Sequence, residues 1–183
     1  MEQVGFYFNA AACIGCKTCV IACKDKNELE VGRNYRRVYA FERGKYPKPM
    51  RINLSIACNH CDDPQCVTHC PTQAMHKRES DGVVLVDHDK CVGCRYCTWA
   101  CPYEAPQYDE STGMMTKCDT CYDIREQGEN PACVDSCPMR ALDFGPIAEL
   151  RAKYGSNADM EGLPNSSLTK PNLVITTKKQ GGL

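Results

Sequence analysis

Residues 91–102 read CVGCRYCTWACP, four cysteines in a C-x2-C-x2-C-x3-C pattern followed by a proline. The same spacing occurs at residues 13–23, which read CIGCKTCVIAC. Two residues between cysteines allow a tight loop to wrap one corner of a metal centre, and the proline suits the first turn of an outgoing helix. The spacing is typical of [4Fe–4S] ligation, in which three cysteines of a run bind one cluster and the fourth binds a neighbouring cluster.

Two further cysteine groups have a longer gap between their second and third cysteines. Residues 58–71 have the pattern C-x2-C-x4-C-x3-C-P, and residues 118–138 have C-x2-C-x11-C-x3-C-P. The chain's 16 cysteines therefore form four groups of four with none left over. Group I is Cys13, Cys16, Cys19, Cys23; group II is Cys58, Cys61, Cys66, Cys70; group III is Cys91, Cys94, Cys97, Cys101; group IV is Cys118, Cys121, Cys133, Cys137. At four thiolates per cubane, the count predicts four [4Fe–4S] clusters.

A structural module held by zinc or disulfides is the alternative class of protein. Zinc usually takes two short cysteine pairs separated by a dozen or more residues, and three close cysteines followed by a fourth fit that pattern poorly. Disulfides need an oxidising compartment. Residues 1–15 lack the basic and apolar regions of a signal peptide, so we expect none on this chain. The spacing therefore favours iron–sulfur clusters.

The composition excludes several functions. Lys and Arg total 22 and Asp and Glu total 23, for a net charge of −1, which argues against nucleic-acid binding. No apolar run approaches the roughly 20 residues of a membrane span, so we expect no direct span. No nucleophile–base combination or phosphate loop is evident, so we expect a non-catalytic chain. Lys17, Lys24 and Arg95 lie within or beside the cysteine loops, where a cation would raise a cluster potential or simply face solvent.

The segments between the groups predict how they pair. Residues 74–78 and 83–86 flank Asp81-Gly82, which indicates a hairpin between groups II and III. Strand-like residues 5–9 precede group I, and strand-like residues 140–144 follow group IV. If these two strands pair, groups I and IV rebuild the same module from the two ends of the chain. We therefore predict an α+β fold of two nested ferredoxin-like modules, each with two [4Fe–4S] clusters.

These pairings predict the domains and ligand sets. Residues 58–101 form the inner module, and residues 1–57 plus 102–150 form the outer module with an inserted hairpin at 34–57. Residues 151–183 form an extended C-terminal arm that contacts partner subunits. With crossed ligation, the predicted sets are Cys13, Cys16, Cys19 with Cys137; Cys118, Cys121, Cys133 with Cys23; Cys58, Cys61, Cys66 with Cys101; and Cys91, Cys94, Cys97 with Cys70.

The sequence between residues 5 and 150 also resembles a known family. The similarity covers more than the cysteine pattern, and its segments include YRRVYAFE, SIACNHCDDPQC, AMHKRESDGVVLVD, CVGCRYCTWACPYEAPQY and PACVDSCPMRALDFGPIAEL. The chain resembles the electron-transfer beta subunits of the dimethyl sulfoxide reductase family. In similar nitrate reductase subunits the position of Cys94 holds a tryptophan and one cluster has three irons, so the cysteine here implies four cubanes.

The resemblance implies a complex for anaerobic respiration. A molybdopterin catalytic subunit would carry out the chemistry of a dimethyl sulfoxide reductase-type terminal reductase. A quinol-oxidising membrane anchor would supply electrons, and this non-catalytic chain would relay them. The Cys13/Cys137 cluster would face the catalytic subunit and the Cys91/Cys70 cluster the anchor. Association with the membrane would come through these partners, on the extracytoplasmic face after export with the catalytic subunit. The alternative is a beta subunit for another substrate, such as formate or polysulfide.

Overall fold

The computed structural model describes residues 2–177, so residues 178–183 of the predicted arm lie outside the described part. Short helices follow or carry the cysteine groups: α1 Thr18–Lys26, α2 Gln65–Thr68, α3 Tyr96–Ala100, α4 Tyr122–Arg125, α5 Ala132–Asp135 and α6 Ile147–Tyr154, with a 3₁₀ turn at Ser166–Leu168. Across residues 2–177, no helix combines the length and apolarity that a membrane crossing requires.

Three hairpins connect the groups. Their strands are β2 Arg37–Arg43 with β3 Met50–Ile56, β4 Met75–Lys77 with β5 Val84–Val86, and β6 Gln107–Asp109 with β7 Met114–Thr116. The predicted hairpins within residues 34–57 and between groups II and III are confirmed. The third was not predicted. Its strands are three residues long and its turn is polar, so no alternation of apolar and polar residues marks it.

Residues near the two ends of the described chain form one sheet. Strand β1, Val4–Asn9, lies at its centre, antiparallel to β8, Leu142–Pro146. The predicted pairing of residues 5–9 with residues 140–144 is therefore confirmed, with Phe6 opposite Phe144. The rings of Phe6 and Phe144 pack against each other, with 4.9 Å between their centroids.

Strand β9, Leu173–Thr176, pairs in parallel with the other edge of β1. Its central residue, Val174, is fully buried. This part of the predicted arm is thus a strand of the chain's own sheet. The apolar side chains of β9 match the buried face of β1, and that match outweighs the polar sequence around it. Contact of this segment with partner subunits stays a prediction.

The core contains cysteine as well as apolar side chains. The largest buried cluster joins Phe6, Phe8, Leu54 and Leu142 to cysteines from three groups: Cys19, Cys23, Cys58, Cys118, Cys133 and Cys137. A second cluster surrounds Met75 and Met115 and includes Cys66 and Cys97. The groups are therefore part of the interior rather than attachments to its surface.

The approach of β9 to β1 requires a glycine. A Cβ atom on Gly5 would lie 2.4 Å from the carbonyl oxygen of Asn172 and 2.7 Å from Cδ1 of Ile147. We expect Gly5→Ala to lower the free energy of unfolding by about 1–3 kcal/mol, the usual cost of overpacking. Denaturant unfolding of the anaerobically prepared chain measures this. Gly145 is the control, because it lies directly opposite Gly5 and a Cβ added there would meet no described atom within 4 Å. Equal losses in Gly5→Ala and Gly145→Ala would contradict the prediction.

Candidate metal centres

Groups I and III, which have the C-x2-C-x2-C-x3-C spacing, share one backbone conformation. In group I, Gly15 and Lys17 have φ angles of 74° and 65°, and in group III, Gly93 and Arg95 have φ angles of 65° and 63°. A helix begins at the next residue in each case. A Cβ on Gly93 would come within 2.1 Å of the carbonyl oxygen of Gly113, so only glycine fits there. Two loops that are distant in sequence thus curl in the same way around their cysteines.

Two predicted ligand sets line small cavities. Cys13, Cys16, Cys19 and Cys137 surround one cavity beneath Phe8, and we call this set quartet A. Cys70, Cys91, Cys94 and Cys97 surround another, against Met75 and Met115, and we call this set quartet D. In each set three cysteines come from group I or group III, and the fourth is the last cysteine of group IV or group II.

In each of the other two predicted sets, some cysteines influence one another's pKa. Quartet B comprises Cys118, Cys121, Cys133 and Cys23. Burial raises the pKa of Cys23 to about 12, with further contributions from Cys133 and Cys121. Burial likewise places the pKa of Cys118 well above its ordinary value, and the next contribution comes from Cys23.

Quartet C comprises Cys58, Cys61, Cys66 and Cys101. Burial raises the pKa of Cys61 to about 12, and the neighbouring Cys58 and Cys101 add to the shift. Burial also raises the pKa of Cys66, again with Cys58 and Cys101 among the causes. Thiolates must form for metal to bind, so protons leave these cysteines when the centres are filled.

Backbone amides point at cysteine sulfurs in quartets A, B and D. The N–H groups of Met75, Met115 and Thr120 donate to Cys70, Cys91 and Cys118 respectively, each over 3.4 Å. The N–H group of Ala141 donates to Cys137 over 3.3 Å. Hydrogen bonds to sulfur are one of the means by which a protein stabilises thiolate ligands and tunes a cluster. The residues present therefore fit [4Fe–4S] clusters.

The alternative interpretations fit less well. All 16 cysteines lie within residues 2–177 and are free thiols, so this part of the protein contains no disulfide framework. Among the described residues, no three His, Cys, Asp or Glu side chains converge closely enough to hold a single metal ion. Four thiolates spaced around a cavity are the geometry that a multi-iron core needs.

Interactions between cysteines of different quartets favour the order A, B, C, D. Cys19 of quartet A and Cys133 of quartet B are close enough that the second raises the pKa of the first. Cys118 of quartet B and Cys58 of quartet C interact in the same way. Cys66 of quartet C shares a buried cluster with Cys70, Cys91 and Cys97 of quartet D. Four centres in this order would form a continuous path through the protein.

The two ends of this path reach the surface. Cys16 in quartet A and Cys94 in quartet D are the two exposed cysteines. Exposed apolar side chains accompany both ends: Ile14, Ile21 and Met139 near quartet A, and Val92, Tyr96 and Trp99 near quartet D. The exposed fraction of Trp99 is 77%, which is unusual for so large a ring and typical of an interaction surface.

The basic side chains that are buried in the structure are not the ones that the sequence placed beside the cysteine loops. Of the three basic residues predicted near the loops, Lys24 donates to the carbonyl oxygens of Glu30 and Arg33, Arg95 stacks on Tyr108, and Lys17 is exposed. The buried cations are instead Arg36, 2% exposed, and Lys117, 7% exposed. Spacing alone gives no sign of Arg36, which lies 13 residues beyond Cys23.

The ammonium group of Lys117 lies between quartets B and C. It donates to the carbonyl oxygens of Val84 and Cys118. Its charge also opposes the rise in the pKa of Cys66 and of Cys118 that burial causes. Lys117 is therefore held in place by backbone oxygens while it faces thiols of two quartets.

Comparison with known proteins identifies the class. The 4Fe-4S dicluster domain family matches residues 51–147, and the 4Fe-4S binding domain family matches residues 10–32. Together with the fold, these matches define a ferredoxin-type protein that carries 4Fe–4S clusters. Four clusters agree with the 16 cysteines.

Curated relatives narrow the class to a family. The protein is 50% identical to the B subunit of anaerobic dimethyl sulfoxide reductase from Haemophilus influenzae, over 100% of its own length and 93% of the relative. It is 52% identical to the corresponding subunit of Escherichia coli, over 94% and 88% of the two sequences. It is 37% identical to the B subunit of polysulfide reductase from Wolinella succinogenes, over 100% and 98%. The protein belongs to the family of iron–sulfur B subunits of anaerobic dimethyl sulfoxide reductases, and it is an electron-transfer subunit.

Proposed function

We propose that quartets A, B, C and D each bind one [4Fe–4S] cluster. When bound, each cluster accepts and releases one electron at a time. The observation that carries the proposal is the convergence of Cys13, Cys16 and Cys19 with Cys137 around one cavity, far apart as they are in sequence. The corresponding convergence of Cys91, Cys94 and Cys97 with Cys70 supports the same crossed ligation.

The same pairing supports two nested modules. Residues 58–101 hold quartets C and D around the β4–β5 hairpin. Residues 1–57 and 102–150 hold quartets A and B beside the β1–β8 pair. In each half, one strand pair accompanies two quartets. The parallel strand β9 belongs with the outer module, and contact of residues 151–183 with partner subunits is part of the proposal.

We further propose that quartet A faces a molybdopterin catalytic subunit and quartet D faces a membrane anchor that oxidises quinol. Each end offers an exposed cysteine with exposed apolar neighbours, which is what close docking of a redox partner requires. Close docking shortens the distance an electron must cross. The assignment of the two ends follows the family resemblance, as does the extracytoplasmic side of the membrane.

For the substrate of the catalytic partner, we propose dimethyl sulfoxide. The support is the activity for which the relatives at 50–52% identity are named. B subunits named for polysulfide and tetrathionate reductases match at 37% and 41%, so these oxidants are the second candidates. On this proposal the substrate binds to the catalytic partner, and the role of this chain is to deliver electrons.

Affinity capture of the tagged full chain from anaerobically grown cells tests the whole proposal. We expect a large molybdopterin subunit and a membrane subunit to co-purify, with about sixteen irons on this chain, four for each quartet. The complex should oxidise quinol with dimethyl sulfoxide as acceptor. If the complex prefers polysulfide or tetrathionate as acceptor, the proposed substrate changes, but the electron-transfer role of this chain stands. A colourless chain that contains zinc would contradict the role itself.

A further inference from the structure

Arg36 is a buried cation without a visible counter-charge. Its side chain is 2% exposed, and its guanidinium lies 4.7 Å from the centroid of the Phe6 ring. Atoms Nε and Nη2 are buried and have no hydrogen-bond partner among the described residues. Within residues 2–177 no carboxylate lies at salt-bridge distance from it. An unpaired buried charge is costly, so its counter-charge must come from something nearby that becomes anionic.

Cysteines of two quartets lie nearby and become anionic when they bind metal. Burial lowers the pKa of Arg36, and the ionised forms of four cysteines raise it by more: Cys133, Cys19, Cys118 and Cys23. Cys19 belongs to quartet A, and the other three belong to quartet B. The Phe6 ring, which lies against the guanidinium, shares the main buried cluster with these four cysteines, so Arg36 lies beside both quartets.

One hydroxyl connects Arg36 to a predicted ligand. Nη1 of Arg36 donates to Oγ of Ser55 over 3.2 Å, and Oγ of Ser55 lies 3.6 Å from Sγ of Cys19. Because the serine oxygen accepts from the guanidinium, its own proton is free to point at the sulfur. Ser55 is itself 2% exposed, so water does not compete for this contact. The result is a hydrogen-bond relay from the cation to quartet A.

We propose that Arg36 raises the midpoint potentials of the centres in quartets A and B and leaves those of quartets C and D unaffected. The inference rests on the proposed function, because it requires a cluster in each quartet. Reduction adds one electron, and a fixed positive charge in a poorly solvated site favours the more negative form. Arg36 is a positioning residue: it acts through charge and through Ser55, and it is not a ligand.

Potentiometric titration of the intact complex, followed by electron paramagnetic resonance, tests the proposal. In Arg36→Gln we expect two of the four midpoints to move to more negative potentials and two to stay in place. At a fixed potential the ratio of reduced to oxidised centre should fall about tenfold for each affected centre, which is about 59 mV for a one-electron couple. Arg36→Lys keeps the charge and should restore most of the shift.

Two further variants make the test specific. Arg43→Gln removes the same charge from an exposed site, where Arg43 pairs with Glu161, and should move no midpoint. Ser55→Ala removes the relay and should lower one midpoint only, belonging to one of the two centres that Arg36→Gln affects. No shift, or equal shifts of all four centres, would overturn the proposal.

Loss of the clusters in Arg36→Gln would not end the test. In that case Ser55→Ala is compared with the unmodified complex, and four unchanged midpoints in Ser55→Ala would overturn the inference. Failure of the proposed function gives a different result, because the unmodified complex itself would then contain fewer than four titrating centres.

Discussion

Cys94→Ser is expected to abolish quinol-driven turnover while turnover with a reduced dye that donates directly to the catalytic subunit persists. Cys94 is an exposed member of quartet D, the end of the path that we assign to the membrane anchor. Serine is a poorer ligand for iron than a thiolate, so the variant should lose or convert the centre in quartet D alone. Iron content and the electron paramagnetic resonance signals of the remaining three centres measure this loss, and parallel assays with quinol and dye measure its effect.

Cys16→Ser is the matched variant, because Cys16 is the exposed member of quartet A at the opposite end. It too should lose quinol-driven turnover. The two variants differ in what quinol reduces in the absence of an acceptor: the three remaining centres in Cys16→Ser, but none in Cys94→Ser. The reverse pattern would show that the path runs in the opposite orientation. Loss of both the quinol and the dye activity in Cys94→Ser would contradict a position remote from the catalytic subunit.

Removal of iron is expected to unfold most of the chain. Six cysteines belong to the main buried cluster, and more line the cavities of quartets A and D. Without metal, these sites hold neutral thiols around empty space, and the packing contacts on one side of each cavity are lost. Because metal binding and folding are coupled in such sites, the free energy of cluster binding contributes directly to the stability of the fold.

Anaerobic chelation followed by limited proteolysis and far-ultraviolet circular dichroism measures the effect. The iron-loaded chain should resist protease and unfold cooperatively, and the iron-free chain should be digested rapidly and show no cooperative transition. Reconstitution with iron and sulfide should restore resistance. An iron-free chain that keeps a cooperative transition near that of the loaded protein would show that the apolar packing around Phe8 and Leu54 suffices by itself.

Much of the architecture follows from spacing and turn chemistry. The hairpin between groups II and III could be predicted because Asp81-Gly82 stands between two short strands, a local pattern. The β1–β8 pair could be predicted because each strand adjoins a cysteine group, so the expected sharing of ligands dictates that the chain ends meet. In both cases the position of a turn or of a cysteine group in the sequence determines which strands pair.

Other features depend on contacts that leave no local pattern. Strand β9 joins the sheet because Val174 and its neighbours fit the surface of β1, a match between segments more than 160 residues apart. The burial of Arg36 depends on the positions of Phe6 and Ser55 from two other strands. The basic residues beside the cysteines were natural candidates for tuning the centres, but Lys17 and Arg95 lie at the surface or against another side chain.

The central position of β1 has a consequence for synthesis. Translation delivers β1 first, yet its two neighbours in the sheet, β8 and β9, begin only at residues 142 and 173. Quartets C and D are complete once Cys101 has left the ribosome, whereas quartet A awaits Cys137. With the proposed ligand sets, the inner half can therefore mature during translation, while the outer half closes only after β9 has emerged, and until then its thiols stay open to iron delivery.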